Sequence, residues 1–468
     1  MVFSSVSFLF YFLPIFLLFY FGVPAFLKNY VLLAASLIFY YVGVQSMVFI
    51  MLGCVLLNYG AALLIDRFRD KKYLIRWILA LSVTMTIGLL FYFKYFDFIL
   101  RNINTVFGLS LDVFGIVLPI GISFYVFQTL SYTIDVFRGT TFPQKNPLLL
   151  ATYITMFPQL VAGPIVRYSK IERQLKNREI SSDKIALGIR RFVIGLAKKV
   201  ILANTLAQLC QNVRMMEEKT VLAYWLMAVA FLFQIYFDFS GYSDMAIGLG
   251  KILGFDFDEN FRYPYMSKSV SEFFRRWHIS LGTWFRDYVY IPLGGNQKGS
   301  VRLCLNLFFV WLLTGFWHGA AWNFVLWGVF YACLLILEKL FFEKVLDSLP
   351  TFVGNIYTVL AVLFGFVIFN ASTLSEVWTN LSGMFGAGGI DIASQDSVYM
   401  LKNFFVVLVI SVIAATPLMK HILEKTLIHS YGETILIIAE PIALMLLFVL
   451  STAFLVDSSF NPFIYFRF

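Results

Sequence analysis

The feature that most constrains this chain is a succession of long apolar runs recurring from one end to the other. Residues 1–27 hold no charged side chain at all. A helix rises about 1.5 Å per residue, so about 20 apolar residues cross the hydrocarbon of a bilayer. Runs of that kind lie near 6–24, 29–45, 47–65, 76–94, 113–135, 148–163, 187–210, 221–240, 303–319, 321–341, 354–371, 403–419 and 434–455. Basic pairs interrupt the run near 187–210, and the one near 303–319 is short. About eleven true spans are therefore expected, with re-entrant or interfacial helices beside them. Backbone groups in lipid must bond within their own segment, and no strand-length alternation points to a barrel. The expected class is an all-α polytopic membrane protein, a single integral-membrane domain over 1–468 with no separate soluble domain. No basic segment precedes the first apolar run, which is expected to stay as a membrane helix.

Composition agrees. Hydrophobic residues make up 60% of the chain and charged residues 13%, against about 25% charged in soluble proteins. The 53 Phe, 25 Tyr and 9 Trp present more aromatic surface than one aqueous core buries. Lipid is the solvent for most of this chain. A net charge of +9 would suggest nucleic acid in a soluble protein, but in a polytopic one it marks cytoplasmic loops. No nucleic-acid partner is expected.

Loop charges set the expected orientation. The basic loop Asp66–Lys72 reads as cytoplasmic, which puts Lys28 inside and the N-terminus outside. Arg167–Lys199 holds ten basic residues against three acidic, and Arg262–Arg302 seven against Glu272 and Asp287. Both stretches read as cytoplasmic. Residues 372–401 carry Glu376, Asp391 and Asp396 with no Lys or Arg, and read as outside. Cys54, Cys210, Cys304 and Cys333 lie in apolar stretches at unrelated spacings, which suggests neither a disulfide framework nor a metal site. No internal repeat points to an inverted-repeat transporter.

Polar groups within apolar runs are costly and so are candidates for function. His318 ends the run Leu312–Gly319, between Trp317 and Trp322 and beside glycines that admit a close neighbour. A buried structural histidine and a functional one fit that local pattern equally well. His278 lies in Arg275-Arg276-Trp277-His278-Ile279-Ser280, followed by Trp284-Phe285-Arg286-Asp287-Tyr288. This stretch is too basic to span and too aromatic for a free loop. It suits an interfacial segment, either a membrane anchor or a basic, aromatic-lined mouth for a phosphorylated donor. His421 and His429 sit on a lysine-containing loop and read as solvated. Gln234 and Asp238 share one helix face, as do Ser240 and Asp244. Gln128, Tyr132 and Asp135 make a polar stripe, read for the first two as hydrogen bonding between helices. Asp238 costs more to bury and calls for a partner or a role. The chain has no phosphate-binding Walker loop, no Gly-x-Ser-x-Gly elbow and no metal-spaced His/Cys cluster.

Taken together, Val2–Ser5, Phe157–Pro164, Gln234–Asp244, Arg275–Gly295, Gly315–Gly328 and Phe463–Phe466 resemble the membrane-bound O-acyltransferase (MBOAT) family. Within it the likeness is to the alginate O-acetyltransferase (AlgI-type) branch. The resemblance implies a ring of membrane helices around a thin centre, with re-entrant segments. It implies acyl transfer from a donor to a hydroxyl, with His318 and His278 as the catalytic pair. His318 would be the general base, since an imidazole of ordinary pKa near 6.5 accepts a hydroxyl proton at neutral pH. His278 would orient the donor or stabilise the oxyanion. Asp238, Trp317, Trp322 and Asn323 are supporting candidates, the two tryptophans as walls against water. Arg275, Arg276 and Arg286 are candidates for binding the donor phosphates.

The resemblance further implies acetyl transfer from cytoplasmic acetyl-CoA, with no bound cofactor and no metal, in a bacterial cytoplasmic membrane. An exported polysaccharide would be the acceptor, reached through an SGNH-type acetyltransferase and the polymer's synthesis and export machinery. D-alanyl transfer to teichoic acid from a carrier protein is the alternative. A transporter without chemistry is a third reading; neither Asp238 nor Asp135 has a basic partner within its own run.

Overall fold

The computed structural model of the protein describes residues 1–161, 163–428 and 432–457. His429, Ala162 of the Phe157–Pro164 stretch and the Phe463–Phe466 motif lie outside the described residues. All regular secondary structure among the described residues is helical. Among the described residues, eight helical stretches are long and apolar enough to cross a membrane: Ala25–Arg67, Lys72–Phe107, Val221–Ile252, Gly299–His318, Trp322–Ser348, Thr351–Asn370, Gln395–Ala414 and Gly432–Asp457. The protein is a multi-pass, all-helical membrane protein.

The stretch Ala25–Arg67 takes in two of the runs expected to span, near 29–45 and 47–65, and the run near 6–24 forms the shorter apolar helix Phe8–Gly22; three further runs form no single helix of spanning length. Of the run near 113–135 only residues from Ile122 onward are helical. The run near 148–163 breaks at Met156 into pieces of 9 and 4 residues. A π-helical turn, Lys198–Ala203, interrupts the run near 187–210. The apolar side chains of the first two runs are largely buried in protein. The short run near 303–319 does form a helix of spanning length.

Two compact units emerge. The first holds Met1–Phe192 and Met245–Asp258; the second holds Val193–Asp244 and the described residues from Glu259 onward. In the first lie α1 (Leu13–Gly22), α2 (Lys28–Val44), α3 (Val48–Arg67), α4 (Lys72–Phe107), α5 (Ile122–Arg138), α6 (Pro147–Thr155), α7 (Phe157–Leu160) and α8 (Tyr168–Lys176). Helix α5 is buried on nearly every side. Its stripe resolves unevenly: the Tyr132 hydroxyl accepts the Gln144 backbone N–H at 2.9 Å. The Gln128 amide makes no hydrogen bond among the described residues, contrary to its expected interhelical role. Nearby, Asn58 ties three helices together. Its Nδ2 donates to Thr86 Oγ1 on α4, and its Oδ1 accepts from Ser82 of α4 and Thr133 of α5.

Helices α9 (Ser182–Ala197) and α11 (Val221–Ile252) contribute residues to both units. The second unit continues with α10 (Asn204–Met215), α12 (Val270–Arg276), α13 (Ile279–Phe285), α14 (Gly299–His318), α15 (Trp322–Leu337), α16 (Glu343–Ser348) and α17 (Thr351–Asn370). It ends with α18 (Leu374–Met384), α19 (Gln395–Ala414), α20 (Leu418–Ile428) and α21 (Gly432–Asp457). Helices α12 and α13, with seven residues each, are far too short to cross a bilayer. They carry the basic, aromatic stretch expected to be interfacial or re-entrant.

Candidate active site

Helices α14 and α15 meet backbone to backbone. A Cβ on Gly315 would lie 2.3 Å from the Phe324 carbonyl oxygen, and one on Gly328 would lie 2.5 Å from that of Trp311. Only glycine allows this approach. The contact sets His318, the last residue of α14, against Trp327 of α15, with ring centroids 5.0 Å apart. Phe369 closes on the same imidazole at 5.2 Å and Trp317 at 5.0 Å. His318 is buried among aromatic rings.

His278 sits at the joint between α12 and α13 in the left-handed region, φ 46°, a strained conformation for a residue with a side chain. Asn260 holds the joint. Its carbonyl accepts the Ile279 N–H at 3.0 Å, and its side-chain Oδ1 accepts the Ser280 N–H at 3.1 Å. The His278 Nδ1 lies 3.3 Å from that same Oδ1. Phe239 of α11 packs edge-on against the imidazole at 4.6 Å, and Trp317 lies 6.0 Å away. Burial pushes the His278 imidazole down from 6.5 to about 3, so it is neutral at physiological pH.

Both histidines line one cavity of about 710 Å³, along with Thr314, Trp327, Arg275 and Arg286. That volume lies in the range of small-molecule pockets, about 300–1,000 Å³. Helix α12 is pinned beside it by Glu338, which is 3% exposed. The Glu338 carboxylate accepts the Val270 N–H at 2.6 Å, the Ser271 N–H at 2.9 Å and the Ser271 hydroxyl at 2.7 Å. An acid at a helix N-terminus meets unpaired amides and the positive end of the helix dipole.

The other expected site residues divide. Arg275 and Arg286 line the cavity, but Arg276 does not: its guanidinium pairs with Glu272 at 2.5 Å. Burial alone would raise the Glu272 pKa, but the Lys268 N–H and Arg276 outweigh it and hold the carboxyl below its ordinary value. Trp322 is 52% exposed and outside the cavity lining. Trp327, about 140° further round α15, takes the inward place expected of it. Asn323 is buried and donates to the Phe369 carbonyl at 3.2 Å. Asp238 also stands apart from the cavity lining, in a buried ion pair with Lys199 at 2.6 Å. That basic partner comes from a different run, the π-helical turn, which also pairs Lys198 with Asp244 at 2.8 Å.

Three residues at the site escaped the sequence reading: Asn260, Trp327 and Glu338. Glu338 carried a usable signal, a lone acid at the end of an apolar run. Asn260 carried none, since it stands among the charged residues Asp256, Asp258, Glu259 and Arg262. No group of three His, Cys, Asp or Glu able to hold a metal occurs among the described residues. Chemically, the cavity offers two imidazoles and two guanidinium groups in a wall rich in aromatic side chains.

Comparison with known proteins adds to this geometry. Residues 141–375 match the family described as MBOAT, membrane-bound O-acyltransferase family. The chain is 38% identical to a probable alginate O-acetylase of Azotobacter vinelandii, with the whole of both chains covered. It is 30% identical to a peptidoglycan O-acetyltransferase of Helicobacter pylori, covering all of this chain and 98% of that one. Identity to a teichoic acid D-alanyltransferase of Bacillus subtilis is 29% over 54% of this chain and 68% of the relative.

Proposed function

Because the chain belongs to the membrane-bound O-acyltransferase family, we propose that it moves acetyl groups from cytoplasmic acetyl-CoA across the membrane to an acceptor hydroxyl, for O-acetylation of an exported polysaccharide. The observation that carries this reading is the convergence of His278 and His318 on one cavity with Arg275 and Arg286. The acceptor oxygen attacks the thioester carbonyl; a C–O bond forms and the C–S bond breaks. His318 takes the hydroxyl proton and the departing thiolate recovers it, so protons balance. The arginines attract the phosphates of the donor, and the aromatic wall keeps out water that would hydrolyse the thioester.

Position supports the direction of transfer. Arg302 belongs to a basic stretch, and His318 lies about 24 Å further along α14. With the basic stretch cytoplasmic and the N-terminus outside, donor and acceptor would meet at that depth from opposite faces of a bacterial cytoplasmic membrane. An SGNH-type acetyltransferase and the polymer export machinery would then receive the acetyl group outside. D-alanyl transfer is the weaker reading, since the likeness to that branch covers about half of this chain.

The test is the O-acetyl content of the surface polysaccharide, read by NMR, in cells carrying His318→Gln. This variant keeps a hydrogen-bonding group and loses the titratable base. Acetylation falls about a hundredfold or more with the protein still inserted and folded. Acetylation near the wild-type level would remove His318 from the role of base.

A further inference from the structure

We propose that Asn260 is a positioning residue that locks His278 in its Nδ1–H tautomer, so that Nε2 faces the reactants only as a hydrogen-bond acceptor. The argument begins with an unambiguous donor. The Ser280 backbone N–H can only donate, and it meets the Asn260 side chain at 3.1 Å, so the atom there is the amide oxygen. His278 Nδ1 approaches the same oxygen at 3.3 Å. With a lone pair on Nδ1 the two acceptors would repel; with a proton they attract. The Ser280 hydroxyl, 3.0 Å from Oδ1 and 3.5 Å from Nδ1, is free to rotate toward the oxygen and leaves this assignment intact.

A neutral imidazole carries one proton, so placing it on Nδ1 leaves Nε2 with a bare lone pair. Nε2 is buried and makes no hydrogen bond among the described residues. Its ring neighbours Phe239 and Trp317 are aromatic, and no carboxylate among the described residues bonds to the imidazole. Burial keeps the ring uncharged. An acceptor held bare in an apolar wall is completed only by a proton-bearing group of a bound reactant, a hydroxyl or an amide N–H. His278 therefore does not supply a hydrogen bond to an oxyanion through Nε2, one of the two roles suggested for it above; the other, orienting a reactant, stands. It holds an O–H or N–H in place while His318 handles the proton. That this acceptor serves acyl transfer rests on the function proposed above; the tautomer does not.

The two are separated by one experiment on the full-length protein in lipid nanodiscs, labelled with ¹⁵N-histidine. The His278 signals are identified by their loss in His278→Gln. The wild-type spectrum shows His278 protonated at Nδ1 and unprotonated at Nε2. Asn260→Leu, which removes the acceptor oxygen, shifts the ring toward Nε2–H and lowers acetyl transfer at least about tenfold. Asn260→Asp keeps the oxygen, keeps the tautomer, and moves the His278 titration upward by about one unit or more. An Nε2–H ring in the wild type, or an Nδ1–H ring that survives Asn260→Leu, overturns the proposal. The expected tautomers in a wild-type protein that transfers no acetyl group uphold the positioning and overturn the function.

Discussion

Each compact unit buries an asparagine that gathers other polar groups around it, and the two do opposite things. Asn58 closes on itself. Its Nδ2 donates to Thr86 Oγ1 and to the Cys54 carbonyl, both at 3.0 Å, and its Oδ1 accepts from Ser82 at 3.2 Å and Thr133 at 2.8 Å. The amide's full hydrogen-bonding capacity is spent inside the protein. Asn260 spends its oxygen on Ser280 and His278 and leaves its Nδ2 without a hydrogen bond among the described residues. Beyond it the His278 Nε2 is buried and likewise without a hydrogen bond among the described residues, on a residue that lines the cavity. Both asparagines are buried and both are polar. A tie and a site differ in whether the capacity is used up and in what the remainder faces.

The buried pair Lys199–Asp238 gives the strongest test of that distinction, because its charges satisfy each other as a tie requires. Removing one partner, by Lys199→Met or Asp238→Asn, strands a charge and costs about 3–5 kcal/mol of folding stability. Lys199→Met combined with Asp238→Leu restores most of it, with transfer per folded molecule near wild type. A double variant that is stable but inactive would move the pair from tie to site.

Asn58→Ala comes next. It leaves the Ser82, Thr86 and Thr133 hydroxyls without their shared partner and costs about 1–3 kcal/mol, read by denaturant titration in detergent. The acetyl-transfer rate per folded molecule stays within about twofold. A selective loss of rate would break the contrast with Asn260.

The site has a pH signature that the tie lacks. His278 is neutral in the fold, with its pKa lowered from 6.5 to about 3, so between those values the unfolded chain binds the extra proton. Its contribution to stability is fully present above pH 6.5 and is lost as pH falls toward 3. The slope is about 1.4 kcal/mol per pH unit. His278→Gln flattens the profile by that amount, whereas Asn58→Ala leaves its slope unchanged. Equal slopes in the wild type and His278→Gln would mean that the ring is not desolvated.

Much of this molecule is legible without coordinates. Apolar runs with few charges dictate membrane helices, because lipid leaves the backbone no other way to satisfy its groups. The motifs around Arg275–Gly295 and Gly315–Gly328 single out His278 and His318, which do line one cavity. The partners were not legible. Lys199 and Asp238 are separated by 38 intervening residues, and only the π-helical turn brings the ammonium to the carboxylate.

Trp322 stands closer in sequence to His318 than Trp327 does, yet the helical turn points Trp327 inward and leaves Trp322 half exposed. Sequence alone determined the class, because composition and periodicity act locally, and the motifs shared with the family pointed to the two imidazoles. The proton's place on His278 was decided by tertiary structure alone. A tautomer depends on which atom of a distant asparagine comes within hydrogen-bonding reach, and no local pattern encodes that distance.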